Sequence, residues 1–146
     1  MVPVDYLAVL VCGIVAMILG FLWYGVLFGK AWMALEGISP ERMAAMKSDP
    51  AAKRKTMGSY AIQFVSALIM AYVLAHMLII VSVFDFGPGI LEAGLSAGFW
   101  SWLGFVVPPT LGMVLWEGKP WKLWILINGY WLLLLLIMGT ILALWA

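Results

Sequence analysis

Four long, predominantly apolar stretches, at about residues 5–28, 56–84, 90–116 and 121–146, constrain this chain more than any other feature. Crossing a hydrocarbon core takes roughly 20 residues of helix, and each run is long enough. Backbone N–H and C=O groups find no water inside a bilayer, so each run must pair them internally as a helix. Composition agrees: 66% of the 146 residues are hydrophobic and 10% are charged, against the roughly half-apolar usage of soluble domains. The expected fold is all-α, a single polytopic domain over residues 1–146 with four transmembrane helices and a long loop at 29–55.

The first run is too long for the apolar core of a secretion signal. No Lys or Arg precedes it, and Asp5 stands where a positive segment is needed, so it is read as a retained span. Cys12 lacks the flanking residues of a lipoprotein signal, and with one Cys no intramolecular disulfide can form.

Charge orients the bundle. Lys30, Arg42, Lys47, Lys53, Arg54 and Lys55 lie between spans one and two, and Lys119 and Lys122 lie at the turn into span four. The N-terminus, the middle loop and the C-terminus carry no Lys or Arg, only Asp5, Asp85 and Glu92. By the positive-inside bias, the first and third loops are expected in the cytoplasm and both termini outside.

Gly-Lys-any-Trp occurs twice, at residues 29–32 and 118–121, each time after an apolar run. Lys30 and Lys119 mark the expected inner ends of spans one and three, and Trp32 and Trp121 supply rings suited to the headgroup level. Gly29 and Gly118 suit left-handed helix C-termini, and Pro120 suits the first position of span four. With "GFLWYG" at 20–25 and "GFWSWLG" at 98–104, the pattern fits two parallel-repeat hairpins as well as two independent anchors. In the first loop, Ser39-Pro40-Glu41 predicts the start of a short helix through about Lys47, with Met43, Ala44 and Met46 as its apolar side. Asp49-Pro50 predicts that the second helix starts before the membrane and carries Lys53, Arg54 and Lys55 to the interface. Gly87-Pro88-Gly89 predicts the outer turn.

Helices in lipid gain little from apolar burial, so close approach at small residues drives their association. Ala8, Cys12, Ala16 and Gly20 share a face of span one. Gly25 with Gly29 and Gly94 with Gly98 form two GxxxG pairs. Such faces pack inside a bundle or between protomers, and their surplus over what four helices enclose predicts a homo-oligomer through Gly94 and Gly98 or the span-one stripe.

Chemistry is sparse. No carboxylate pair, nucleophile triad, metal-ligand spacing or phosphate loop is present, so no catalytic residue, metal or cofactor is expected. His76, the only histidine, reads as a hydrogen-bonded packing residue, with a pigment or proton-relay role as the alternative. Trp32, Trp116, Trp121 and Trp145 fall at expected interfaces. Trp100, Trp102 and Trp131 fall nearer mid-membrane, where they pack in the core or line a lipid groove.

One polar constellation comes from counting depth. Tyr24, Gln63, Thr110 and Asn128 each lie six to eight positions inside the basic end of their span, about 9 to 12 Å at 1.5 Å per residue. Pro108 and Pro109 remove the hydrogen bonds to the carbonyls of Gly104 and Phe105 beside that layer. Buried unpaired amides are costly, so Gln63 and Asn128 are expected to turn inward toward Thr110, Tyr24 and the freed carbonyls. The layer is either a ligand-holding or hydrated pocket, or interhelical glue around a kink.

"LGFLWYGVLFGKAWM", "WLGFVVPP", "WEGKPWKLWILINGYW" and "MGTILALW" together resemble a family of small bacterial four-span membrane proteins catalogued as a domain of unknown function. The resemblance covers nearly the whole chain and implies a multi-pass bacterial inner-membrane protein. It brings no activity or catalytic residues. Two readings follow: a non-enzymatic scaffold or accessory subunit, docked to copies of itself or to a larger membrane complex, or a permeation or apolar-ligand-binding protein that uses the polar layer. The expected partners are the lipid bilayer and other membrane subunits, not nucleic acid.

Overall fold

The computed structural model of the chain describes residues 4–83 and 89–145. Among these, α1 (Tyr6–Phe21) continues as a π-helical stretch (Leu22–Leu27), followed by α2 (Gly29–Glu36), α3 (Pro40–Ser48) and α4 (Pro50–Val83). After the middle connection come α5 (Ile90–Phe105), the short α6 (Val107–Thr110) and α7 (Gly112–Leu115), and α8 (Trp121–Trp145). Four stretches are long and apolar enough to cross a membrane, Tyr6–Leu27, Pro50–Val83, Ile90–Leu115 and Trp121–Trp145, as the four apolar runs predict. The expected turn at Gly87-Pro88-Gly89 lies outside the described residues except for Gly89, which precedes α5 in extended backbone.

Helix starts follow side-chain oxygens. The Asp5 carboxylate accepts from the N–H of Leu7 at 2.8 Å and of Ala8 at 3.2 Å, closing donors that a helix N-terminus leaves open. Ser39 Oγ accepts from Arg42 N–H at 3.2 Å with Pro40 in the first turn, and Asp49 accepts from Ala51 N–H at 3.0 Å. The loop at 29–55 is thus largely helical, and α4 begins within it. At 34 residues, α4 is about 51 Å long and exceeds a hydrocarbon core of about 30 Å.

The first span departs from a plain α-helix. Phe28 N–H donates to the Trp23 carbonyl at 2.9 Å, an i→i+5 bond that widens the turn. A Cβ at Gly29 would stand 2.8 Å from the Tyr24 carbonyl oxygen. Gly29 is therefore required by close backbone approach inside the wide turn, and it starts α2 rather than closing a helix in the left-handed region. Among the described residues the left-handed glycines are Gly37, after α2, and Gly118, before α8. Pro120 precedes α8, its carbonyl accepting from Leu123 and Trp124. Lys119 Nζ reaches Glu36 Oε2 at 2.9 Å and ties the two basic connections to one end of the bundle. Both partners are partly exposed, so the pair contributes under about 1 kcal/mol.

Packing corrects the assignment of the small-residue faces. The α5–α8 contact is the most extensive and α1 packs chiefly on α4. A Cβ at Gly94 would overlap the Gly139 carbonyl, one at Gly98 the Leu135 carbonyl, and one at Gly139 the Gly94 carbonyl. Gly94 and Gly98 are thus consumed inside the chain, because α5 and α8 approach backbone to backbone at these three positions, and they are not open to a second protomer. The α1 stripe is likewise internal: Ala8, Cys12 and Ala16 share the core with Ala67, Ala71 and Ala75 of α4, and Gly20 faces the Tyr130 hydroxyl. Gly25 is exposed, and a Cβ there would meet only the ring of Phe21, so the Gly25/Gly29 pair mediates no helix–helix contact within the chain.

Candidate functional site

The break between α5 and α6 builds the polar centre. Neither Pro108 nor Pro109 can donate a backbone N–H, so the helix is interrupted at Val106 and resumes through Thr110. Thr110 N–H and its hydroxyl both reach the Val106 carbonyl, at 3.2 Å and 2.7 Å, and the hydroxyl lies 3.1 Å from the Val107 carbonyl. The carbonyls that engage Thr110 are therefore those of Val106 and Val107, and not, as the sequence suggests, those of Gly104 and Phe105. The kink turns the Thr110 side chain toward α8, where Asn128 is 2% exposed.

Two donors converge on the Thr110 oxygen. Asn128 Nδ2 donates to it at 3.0 Å and Trp124 Nε1 at 3.2 Å. A hydroxyl has one hydrogen and two lone pairs. Its hydrogen is within reach of the Val106 carbonyl at 2.7 Å and of Asn128 Oδ1 at 3.2 Å, and its two lone pairs accept from the two N–H donors, so the oxygen is saturated. Asn128 Nδ2 also donates to the Trp124 carbonyl at 3.1 Å, one helical turn earlier. Among the described residues no buried side-chain nitrogen or oxygen lacks a partner.

An aromatic collar surrounds this pair. Trp102 Nε1 donates to the Asn128 carbonyl at 3.0 Å from α5, and Trp23 Nε1 donates to the Leu126 carbonyl at 3.1 Å from the π-helical stretch. Tyr130 OH donates to the Ala16 carbonyl at 3.3 Å. Tyr24 stands against Tyr130 and Trp32, with ring centroids 5.1 Å and 5.7 Å apart. Indole N–H groups inside a membrane need acceptors, and helix carbonyls have a spare lone pair to offer. Each such bond ties a neighbouring helix to α8 at a fixed height.

Of the four expected polar residues, the fold brings Thr110 and Asn128 into direct contact, whereas Tyr24 packs on Trp32 and on Tyr130, whose hydroxyl is turned to α1. Gln63 takes no part. It is exposed on α4, because the half of α4 nearest the basic end is uncovered: every residue from Lys53 to Gln63 is exposed. Below the contact of Phe64 and Leu68 with Gly13, α4 stands clear of α1. The expectation that Gln63 turns inward is thereby corrected. Sequence reasoning also missed Trp124, Trp23 and Tyr130 as members of the centre. Trp124 was findable, since it precedes Asn128 by four residues and shares its helix face.

His76 Nδ1 lies 2.8 Å from the Tyr72 carbonyl of its own helix, with the Tyr72 ring 4.6 Å away, a local packing arrangement. Trp100 is exposed, whereas Trp102 and Trp131 are half-buried, Trp131 edge-on to Tyr130. A cleft of about 330 Å3, lined by Asp5, Ala75, Leu78, Leu142 and Trp145 among others, opens at the opposite end of the bundle from the polar centre. Among the described residues no cluster of three or more His, Cys, Asp or Glu side chains is placed to hold a metal ion.

The profile of a family described as "Protein of unknown function (DUF1761)" matches residues 7–143. Comparison with curated proteins and with solved structures finds no match.

Proposed function

We propose that this chain, which belongs to the DUF1761 family, is a non-enzymatic integral membrane protein that serves as an oligomeric scaffold or accessory subunit of a membrane assembly. Its setting in this reading is a bacterial inner membrane, with both termini outside and the two basic connections in the cytoplasm. The observation that carries the reading is a division of polar side chains. Those inside the bundle are spent on one another and on helix carbonyls, as interhelical glue is. The Gln63 amide, by contrast, is exposed on the uncovered half of α4, where it remains available to another molecule. A permeation pathway needs polar groups lining a passage, and Thr110 and Asn128 instead contact each other.

Composition of the particle in lipid tests the role. Extraction with lipid-preserving polymer followed by native mass measurement should return more than one chain per particle, of this protein alone or with other subunits. A particle holding a single copy and nothing else would overturn the proposal. Orientation is tested separately: Ser48→Cys, on the exposed end of α3, should react with an impermeant thiol reagent only after the membrane is opened. Labelling of intact cells at this position would reverse the topology.

A further inference from the structure

The uncovered half of α4 carries an ordered polar face. Thr56, Ser59, Gln63 and Ser66 are all exposed, and they follow one another at intervals of 3, 4 and 3 residues. At 100° per residue they fall within an arc of about 80°. Met57, Tyr60, Ile62 and Val65, also exposed, occupy the rest of the circumference, as lipid-facing residues do. Alternating spacings of three and four are those of a heptad seam, the pattern by which two helices wrap around each other.

Gln63 is the self-complementary group on this seam, and the hydroxyls beside it offer acceptors. The hydroxyls of Thr56, Ser59 and Ser66 donate to the carbonyls of Ala52, Lys55 and Ile62 four residues back, at 2.9 to 3.0 Å. Their oxygens keep lone pairs for further donors. Gln63 brings both an amide donor and an amide acceptor, eight positions beyond Lys55, about 12 Å along the helix. Lipid chains offer an amide no partner at that depth, so an exposed Gln63 is costly until another polar group meets it. The group that matches it without further assumption is a second Gln63, since two amides exchange a donor and an acceptor. In a twofold dimer with its axis along the membrane normal, the two α4 helices run parallel, and each residue of the seam meets its own copy at equal depth. Small hydroxyl residues on either side permit the close approach this requires.

We infer that two copies of this chain dimerise through the Thr56, Ser59, Gln63 and Ser66 face of α4, with the paired Gln63 amides fixing the register. The inference rests on the assembling role proposed above and names its partner, a second copy of the same chain. The faces that sequence reasoning assigned to oligomerisation, at Gly94 and Gly98 and along α1, are filled internally and do not compete with it.

Site-directed cross-linking of the full-length protein in lipid vesicles tests the interface. The native Cys12 is buried in the core and leaves the background silent. Ser59→Cys and Ser66→Cys should each give a disulfide-linked dimer under mild oxidation, and Ile62→Cys, Val65→Cys and Ile69→Cys, exposed off the seam, should not. Gln63→Leu should weaken dimerisation in lipid roughly tenfold and leave the thermal unfolding of the monomer unchanged, since Gln63 touches none of the core. Gln63→Asn, which keeps the amide, should recover most of the affinity. Cross-linking that ignores the seam, or that is strongest at positions 62, 65 and 69, would overturn the interface. Heteromeric particles without a homodimer would overturn it and leave the assembling role standing, whereas single-copy particles would remove both.

Discussion

Gly98→Leu is expected to abolish the native packing of α5 on α8. A Cβ at this position would already overlap the Leu135 carbonyl and stand 2.8 Å from the Leu135 carbonyl carbon. Backbone atoms cannot rotate away as a side-chain tip can, so the two helix axes must separate. Separation breaks the Gly94–Gly139 approach one turn away and lengthens the Trp102 bond to the Asn128 carbonyl. Overpacking of a well-packed core costs about 1 to 3 kcal/mol, and the rigid backbone contact places this case at about 3 kcal/mol or above. Gly104→Leu is the matched control. It lies on the same helix with nothing within 4 Å of an added Cβ, and should change stability by under about 0.5 kcal/mol. Thermal unfolding in mild detergent, followed by tryptophan fluorescence and circular dichroism, compares the two. Equal stabilities would show that α5 and α8 do not meet through Gly98. This outcome also differs from that of an intermolecular glycine face, where the monomer would survive and only assembly would weaken.

The second large effect is expected at Thr110. Thr110→Val keeps the shape of the side chain and removes the oxygen on which Asn128 Nδ2 and Trp124 Nε1 converge. Asn128 Nδ2 retains the Trp124 carbonyl, whereas the indole N–H loses its acceptor. An orphaned buried donor costs about 1 to 3 kcal/mol, and loss of the hydroxyl bond to the Val106 carbonyl adds to it. A total of about 2 to 4 kcal/mol follows. Asn128→Leu should cost less, about 1 to 2 kcal/mol, because Thr110 and Trp124 still satisfy each other. The double variant should cost less than the sum of the two single ones, since part of what each loses is the bond shared between them. Strict additivity would show that Thr110 and Asn128 act separately and would remove the network as a unit of structure. These variants also separate glue from passage: if the pair is glue, Asn128→Leu changes stability and leaves membrane permeability to small solutes as it was.

The polar layer was legible in outline. Depth counting selects Thr110 and Asn128 correctly because distance along a helix is fixed at 1.5 Å per residue, whatever the helix packs against. Placement of a side chain around the helix is another matter. Gln63 has the depth of its companions and the wrong surroundings, since α4 outruns its neighbours at the basic end and nothing of the chain covers it there. The indole donors were harder still. Trp23 reaches the Leu126 carbonyl only because a π-helical stretch re-aims the end of the first span, and no propensity in "LWYGVL" announces such a stretch.

The sequence by itself determined the number of membrane helices, their approximate ends, the helix starts at Ser39 and Asp49, and the gathering of basic residues on the connections. Each follows from local physics: the apolar length needed to span hydrocarbon, the side-chain oxygens that close helix starts, and the high cost of charge within the bilayer. Tertiary structure alone decided which small-residue faces are used and by whom. Gly94 with Gly98, Gly25 with Gly29, and the α1 stripe read alike in sequence. The first pair meets Gly139 and Leu135, the second packs against no other helix, and the third joins the alanines of α4. What distinguishes them is the rotation of each helix about its own axis. In a bilayer that rotation is set by contacts with neighbouring helices, because apolar surface gains little from turning away from lipid that is itself apolar.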